Sequence, residues 1–303
     1  MDQWLESRKH KAQSTVRRYR IVVEKYLKPS FGAIPVRNLT VATLMAQYRK
    51  WESHLSPATV HDHHETLRAA LKWGKRNDLV GAVVTDKISS HDLPVIPEET
   101  PHPLTPEEVT KLLAGPGAPG RLTSEPWFRV ALLAAIHTGC RRGELLSLRY
   151  SDIVKGQLTV TRSVDEGTGT YKSPKNGKSR TIPVSPVLRE ALDSLKAHQD
   201  ANELPNLQGL IFRRPDGSPV SPAAFSTAVS SFMDAVLGHG TAHDLRDTFA
   251  STLYAATHDL LLVSKLLGHS SPTITAKRYA TIFQDNAVDA VMRAFGQSTD
   301  TAA

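Results

Sequence analysis

The stretch LLGHSSPTITAKRYA, residues 266 to 280, breaks at Ser271-Pro272 and ends in Arg278-Tyr279, with His269 upstream. A tyrosine by itself is most often a half-buried ring whose hydroxyl is satisfied locally. Chemistry needs partners, and three further islands hold candidates. TGCRRGELLSLRYSDI sets Arg141 and Glu144 three apart at a helix start, YKSPKNGKSRTIPV gathers Lys172, Lys175 and Lys178 in a turn, and HDLRDTFAS puts His243 and Arg246 on one helix face. Taken singly, each has an ordinary explanation: an i,i+3 ion pair worth about 0.2–0.5 kcal/mol, a solvated turn, a core or capping histidine.

Together the islands meet the needs of phosphodiester cleavage without a metal. Two arginines can grip the non-bridging oxygens with forked donors and stabilise the charge that builds on phosphorus. A lysine can protonate the leaving 5′ oxygen, histidines can move a proton and hold the phosphate, and a tyrosine can attack. A phosphotyrosyl ester stores the energy of the broken bond, so resealing requires no nucleotide cofactor. Tyr279 is the candidate nucleophile, and neither cofactor nor metal is expected.

The elements that position these residues follow from patterning. At 303 residues the chain is long for one domain, and two are expected. Residues 1–88 read as amphipathic helices. In STVRRYRIVVEKYL, Val16, Tyr19, Val23 and Tyr26 fall at helical spacing after an N-cap at Ser14. Thr40 caps VATLMAQYRKW, and Ser56-Pro57 starts ATVHDHHETLRAALKWGKR. Residues 89–103, SSHDLPVIPEETPHP, lose apolar periodicity and read as an extended linker. LTPEEV then offers a capping box from Thr105 to Glu108 and opens a second domain, 104–296, before a polar tail, 297–303. There EPWFRVALLAAIHTGCRRGELLSL reads as a buried helix, a break at Thr138-Gly139 and another helix, while QLTVTRSV and SRTIPV alternate as the strands of a hairpin. The fold class is mainly α with a small antiparallel β-sheet (α+β).

A single cysteine, Cys140, excludes an intrachain disulfide and a cysteine-rich zinc site. The net charge of +7 suits a polyanionic partner, and Arg17, Arg18, Arg20, Lys72, Arg76, Lys172 and Lys178 are the DNA-binding candidates. No apolar run approaches membrane-spanning length and no signal peptide opens the chain, so a cytoplasmic protein is expected.

In order and spacing, TGCRRGELLSLR, the hairpin lysine, HDLR, LGHSS and RYA resemble the signature of the tyrosine recombinase family, most closely phage-type integrases. The resemblance spans the second domain, and the helical first domain is similar to the family's core-binding domain. It implies that Arg141 and Arg246 clamp the phosphate, that Glu144 supports the first arginine, and that His243 is the general base or proton shuttle. His269 would contact the phosphate, Tyr279 would attack, and Lys175 takes the catalytic lysine's place, with Lys172 and Lys178 as competitors. It further implies double-stranded DNA carrying core-type attachment sites, held between the two domains, and a homotetramer acting on two such sites, with DNA-bending proteins as possible accessories. Integration or excision of a phage or mobile element is the leading function. A chromosome-dimer resolvase or transposon recombinase of the same chemistry is the alternative, and a catalytically inactive DNA-binding protein is the alternative of another class.

Three other features complete the reading. GKS at Gly177 to Ser179 lacks the P-loop's earlier glycine, Lys172 standing there, and lies between strands; an ATPase is excluded. VHDHHE sets His61, His64 and Glu65 at metal-ligand spacing on a helix, where a solvated polar face is the simpler reading. Near the end, Val288, Val291, Met292 and Phe295 form a narrow apolar stripe expected to dock on a neighbouring subunit, and the terminal Ala-Ala is expected to be a frayed end. Since Met1 is followed almost at once by WLESRKHKAQSTVRRYR, no arm-binding domain of the lambda type is expected, and recombination should run on core sites alone.

Overall fold

The computed structural model describes residues 1–97, 100–114, 120–165, 169–173, 177 and 179–279. The apolar stripe from Val288 to Phe295 and the tail lie outside the described residues. The chain divides into two compact units, Met1–Glu99 and Thr100–Ala303.

The first unit is helical: α1 (Asp2–Glu6), α2 (Gln13–Val22), one π-helical turn (Val23–Leu27), α3 (Lys28–Phe31), α4 (Val41–Glu52) and α5 (Pro57–Arg76). Thr40 and Ser56 cap α4 and α5, their hydroxyls accepting from the backbone N–H of Thr43 at 3.1 Å and of Thr59 at 3.3 Å. The expected cap at Ser14 is corrected. Helix α2 begins two residues earlier than such a cap requires, at Gln13 behind Ala12, with no side chain capping it, and Ser14 falls inside the first turn. The apolar faces bury Trp4, Val23, Leu27, Leu44, Tyr48, Val60 and Leu67 in one core. The stretch read as an extended linker is not wholly extended. Ser90–Asp92 form a short 3-10 turn closed by a capping box, Leu93 is buried in the first core, and the Pro94 carbonyl sits 2.9 Å from His61 Nε2. Leucine 93 gains apolar burial that proline-rich composition does not advertise.

The second unit contains α6 (Pro106–Ala114), α7 (Pro126–Thr138), α8 (Arg142–Leu145), α9 (Pro186–Ala201), α10 (Pro222–Leu237), α11 (Ala242–Thr257), α12 (Leu260–Leu267) and α13 (Pro272–Tyr279). The Thr105–Glu108 capping box forms reciprocally, at 2.9 and 3.2 Å. The single sheet expected from the sequence is two among the described residues. Strands β1 (Ile153–Val154), β2 (Gln157–Val160) and β5 (Arg180–Pro183) make one antiparallel sheet in the order β1-β2-β5, and β3 (Ser163–Val164) pairs with β4 (Tyr171–Lys172) in another. The main core lies around α7, which buries Trp127, Phe128, Ala131 and Leu132. A smaller cluster of Phe249, Ala250, Val263, Leu267 and Tyr279 ties α11, α12 and α13 together.

Candidate active site

Two features of the α7–α8 junction place the first arginine. Helix α7 ends at Gly139 with φ of +59°, a conformation that disfavours side chains, and a Cβ there would collide with the Phe249 ring and stand 2.9 Å from Leu267 Cδ2. The chain then re-enters a helix with Arg141 as N-cap. The carboxylate of Glu144 accepts the Arg141 backbone N–H at 2.9 Å and its Nη1 at 3.2 Å. Glu144 is 1% exposed, and it also accepts from Arg180 Nη2 at 2.7 Å. Burial pushes the Glu144 carboxyl up, but the Arg180 guanidinium and Arg141 outweigh it and hold the group below its ordinary value.

The second arginine is deeper. Arg246, on α11, is 3% exposed and donates through Nη1 to the Gly139 carbonyl and through Nη2 to the Leu267 carbonyl at 2.8 Å and to His269 Nε2 at 3.0 Å. Burial first, then Arg141 and Arg180, lower its pKa to about 10. Because an arginine only donates, Nε2 of His269 accepts, and the ring proton is assigned to Nδ1, which meets Thr275 Oγ1 at 2.7 Å. Burial and the surrounding arginines bring His269 down to about 4, so it is neutral. His243 shares the helix with Arg246 but not its environment: its side chain is 55% exposed, and Nε2 stands 4.0 Å from Asp247 Oδ1.

Tyr279 closes α13, is 0% exposed, and donates its hydroxyl to Asp247 Oδ1 at 2.7 Å. Arg278 reaches the same carboxylate through Nη2 at 2.8 Å and Nε at 3.2 Å. Burial, and after it the Asp247 carboxylate, push the phenol above its ordinary value.

Arg141, Glu144, Arg246, His269 and Tyr279 therefore converge, with His243 at the edge. Lys175 and Lys178 lie outside the described residues. Lys172, on β4, is paired with Asp165 at 2.5 Å. Sequence reasoning missed three residues that hold the site together: Arg180, Asp247 and Thr275. Arg180 reads as one polar position of an alternating strand, and the contacts of Asp247 and Thr275 run between elements. Arg141 and Arg180 pair with Glu144 and Arg278 with Asp247, while Arg246 lies in the same cluster with no carboxylate bonded to it, so four guanidiniums stand against two carboxylates. That leaves an excess of two positive charges, which suits the dianionic transition state of a phosphodiester under attack.

In the first unit, Lys72 is 3.4 Å from Asp86 and Arg18 is 2.8 Å from Asp62, while Arg17, Arg20 and Arg76 are exposed. Lys72 and Arg76 line a concavity with Arg8, Lys11 and Lys75 beside Trp4 and Tyr19. The solvated polar face expected for His61, His64 and Glu65 is corrected at His64, which is 2% exposed with Nδ1 3.0 Å from the Tyr48 hydroxyl, because the helix turns it into the first core. Among the described residues no three His, Cys, Asp or Glu side chains are placed to share a metal ion, and no helix is long and apolar enough to cross a membrane.

The family model described as the phage integrase family matches residues 103–285. Tyrosine recombinase XerC of Mesorhizobium japonicum is 29% identical over 219 residues, covering 69% of this chain and 64% of that protein. Tyrosine recombinase XerC of a Methylobacterium species is 32% identical over 216 residues, with 69% and 63% covered. The chain thus spans just under two thirds of the length of these relatives. Among solved structures, the Tn1549 transposon integrase in complex with transposon right end DNA superposes with a TM-score of 0.80 at 19% identity over 97% of each chain. A lambda integrase dimer bound to a COC′ core site gives 0.70 at 20% identity over 100% of this chain and 99% of that one. Both share the mostly helical fold with its small antiparallel sheets.

Proposed function

The chain belongs to the phage integrase family, and from that membership we propose that it is a site-specific DNA recombinase that cuts and rejoins strands through a 3′-phosphotyrosyl intermediate. The observation that carries the reading is the buried cluster of arginines whose charge exceeds that of its carboxylates, with a tyrosine beside it.

In the reaction, a phosphodiester of double-stranded DNA seats on Arg141 and Arg246. The Tyr279 oxygen forms a bond to phosphorus as the bond to the 5′ oxygen breaks. The phenolic proton leaves toward His243, and the 5′ oxygen takes a proton from Lys175. A 5′ hydroxyl then attacks the phosphotyrosyl ester and releases Tyr279, so atoms and charge balance without nucleotide or metal. Glu144 and Arg180 set the orientation of Arg141, and His269 steadies Arg246. The basic concavity at Lys72 and Arg76, together with Arg17 and Arg20, serves core-type sites in the first unit. Strand exchange runs in a homotetramer on two sites in the cytoplasm, integrating or excising a phage or mobile element, with DNA-bending proteins as accessories. The second reading is a chromosome-dimer resolvase or transposon recombinase of the same chemistry, and the similarity to tyrosine recombinases XerC supports keeping it beside the first.

A nicked suicide substrate tests the chemistry. The wild type should accumulate a covalent adduct, and Tyr279→Phe should bind the same DNA yet form none. Arg141→Ala and Arg246→Ala should each slow adduct formation about a hundredfold or more. An adduct surviving in Tyr279→Phe would overturn the nucleophile.

A further inference from the structure

The nucleophile assigned above is not poised to attack. Tyr279 is fully buried against Phe249, Val263 and Leu267, and its hydroxyl is spent on Asp247. Both oxygens of that carboxylate are engaged from α13, Oδ1 by Tyr279 and Arg278 and Oδ2 by Arg278. An anionic phosphate oxygen brought to the tyrosine in this arrangement meets a buried carboxylate 2.7 Å from the attacking atom, and like charges oppose that approach. A second tether lies earlier on the same helix, where Thr275 meets His269, itself held by Arg246. Helix α13 is thus fixed to α11 at both ends of the stretch from Thr275 to Tyr279. The fixing residues Arg246 and Asp247 are neighbours in sequence.

We propose that Asp247 is a positioning residue for the cleavage reaction, one whose hydrogen bond keeps the buried Tyr279 hydroxyl turned onto α11 until α13 shifts. The proposal rests on Tyr279 being the nucleophile. Release requires the hydroxyl to exchange its bond with Asp247 for a place in line with the scissile phosphate, while Arg278 keeps or passes on its own bond to the carboxylate. No covalent change is involved in the release itself. Its opposite is a purely structural Asp247, whose loss would loosen the α11–α13 packing and slow every step.

The two roles predict changes of opposite sign. Asp247→Asn keeps the shape and removes the charge, and on the nicked substrate it should form the adduct roughly tenfold faster than wild type in a single turnover, the scale of one charge-assisted hydrogen bond. Asp247→Glu, which retains a carboxylate, should return toward the wild-type rate. Without DNA, nitration by tetranitromethane, read by peptide mass, should be slow at Tyr279 in the wild type compared with the partly exposed Tyr26 and Tyr171, and should rise at Tyr279 in Asp247→Asn. A folded Asp247→Asn protein that forms adduct at the wild-type rate or more slowly overturns the proposal. If that variant does not fold, wild-type Tyr279 nitrated as fast as Tyr26 and Tyr171 overturns it equally, and protection of Tyr279 sustains it. An adduct persisting in Tyr279→Phe instead removes the nucleophile assignment on which all of this stands.

Discussion

Replacing Glu144 by alanine is the perturbation with the most to say about how the site is built. The carboxylate is 1% exposed and receives the Arg141 backbone N–H, the Arg141 guanidinium and Arg180. Arg180 has only 8% of its side chain exposed, and its other partners are the Leu266 carbonyl at 2.8 Å and the Cys140 sulfur at 3.8 Å. Removing the acid strands a buried cation, which costs about 3–5 kcal/mol. At roughly 2–4 °C per kcal/mol for a unit of this size, the melting transition of the second unit should fall on the order of 10 °C by calorimetry. The effect on function should divide. The site gains positive charge, so DNA binding should hold or tighten, whereas Arg141 loses its orientation and adduct formation should slow. The stabilisation also has a defined pH window. Since the folded carboxyl is held below its ordinary value, its contribution is complete above the unfolded pKa of about 4.3 and is lost as pH falls through the folded one. A loss in Glu144→Ala below about 1 kcal/mol, the worth of an exposed pair, would refute the reasoning.

Two further outcomes test the scaffold. Gly139→Ala should destabilise the second unit by about 2–5 kcal/mol, through the positive φ and the collision with Phe249, and should slow cleavage because the Gly139 carbonyl holds Arg246; urea unfolding beside adduct yield checks both. His63 and His64 are each 2% exposed, and burial holds both pKa values below the ordinary one. The unfolded chain therefore binds more protons below about pH 6.5, so the first unit should be at full stability above that pH and lose it on acidification, by at most about 1.4 kcal/mol per pH unit for each histidine. His64→Phe should flatten the profile measured by urea titration at several pH values.

What the sequence made legible was whatever its own short spacings encode. Arg141 and Glu144 sit in one helical turn, Thr105 and Glu108 in one capping box, and the tyrosine segment begins at Pro272 as the Ser-Pro break indicates. The residues that escaped act across distance. Arg180 finds Glu144 thirty-six positions away, and Asp247 finds Tyr279 thirty-two positions away. Strands β3 and β4 are two residues each, too short for alternation to show, and hence the second sheet went unseen. Leu93 carries no periodic neighbours, so nothing in its surroundings signalled that it would be buried.

A guanidinium carries five N–H groups, and how they are allotted matters as much as the charge. In Arg246 both on Nη2 and one on Nη1 are committed to Leu267, His269 and Gly139, leaving one on Nη1 and the Nε–H, which the proposed reaction would give to a phosphate oxygen. A lysine at position 246 would keep the positive charge but has three N–H groups in all, as many as the protein already consumes. Such an enzyme could attract DNA to the pocket by charge and still have no hydrogen left there with which to grasp the phosphate.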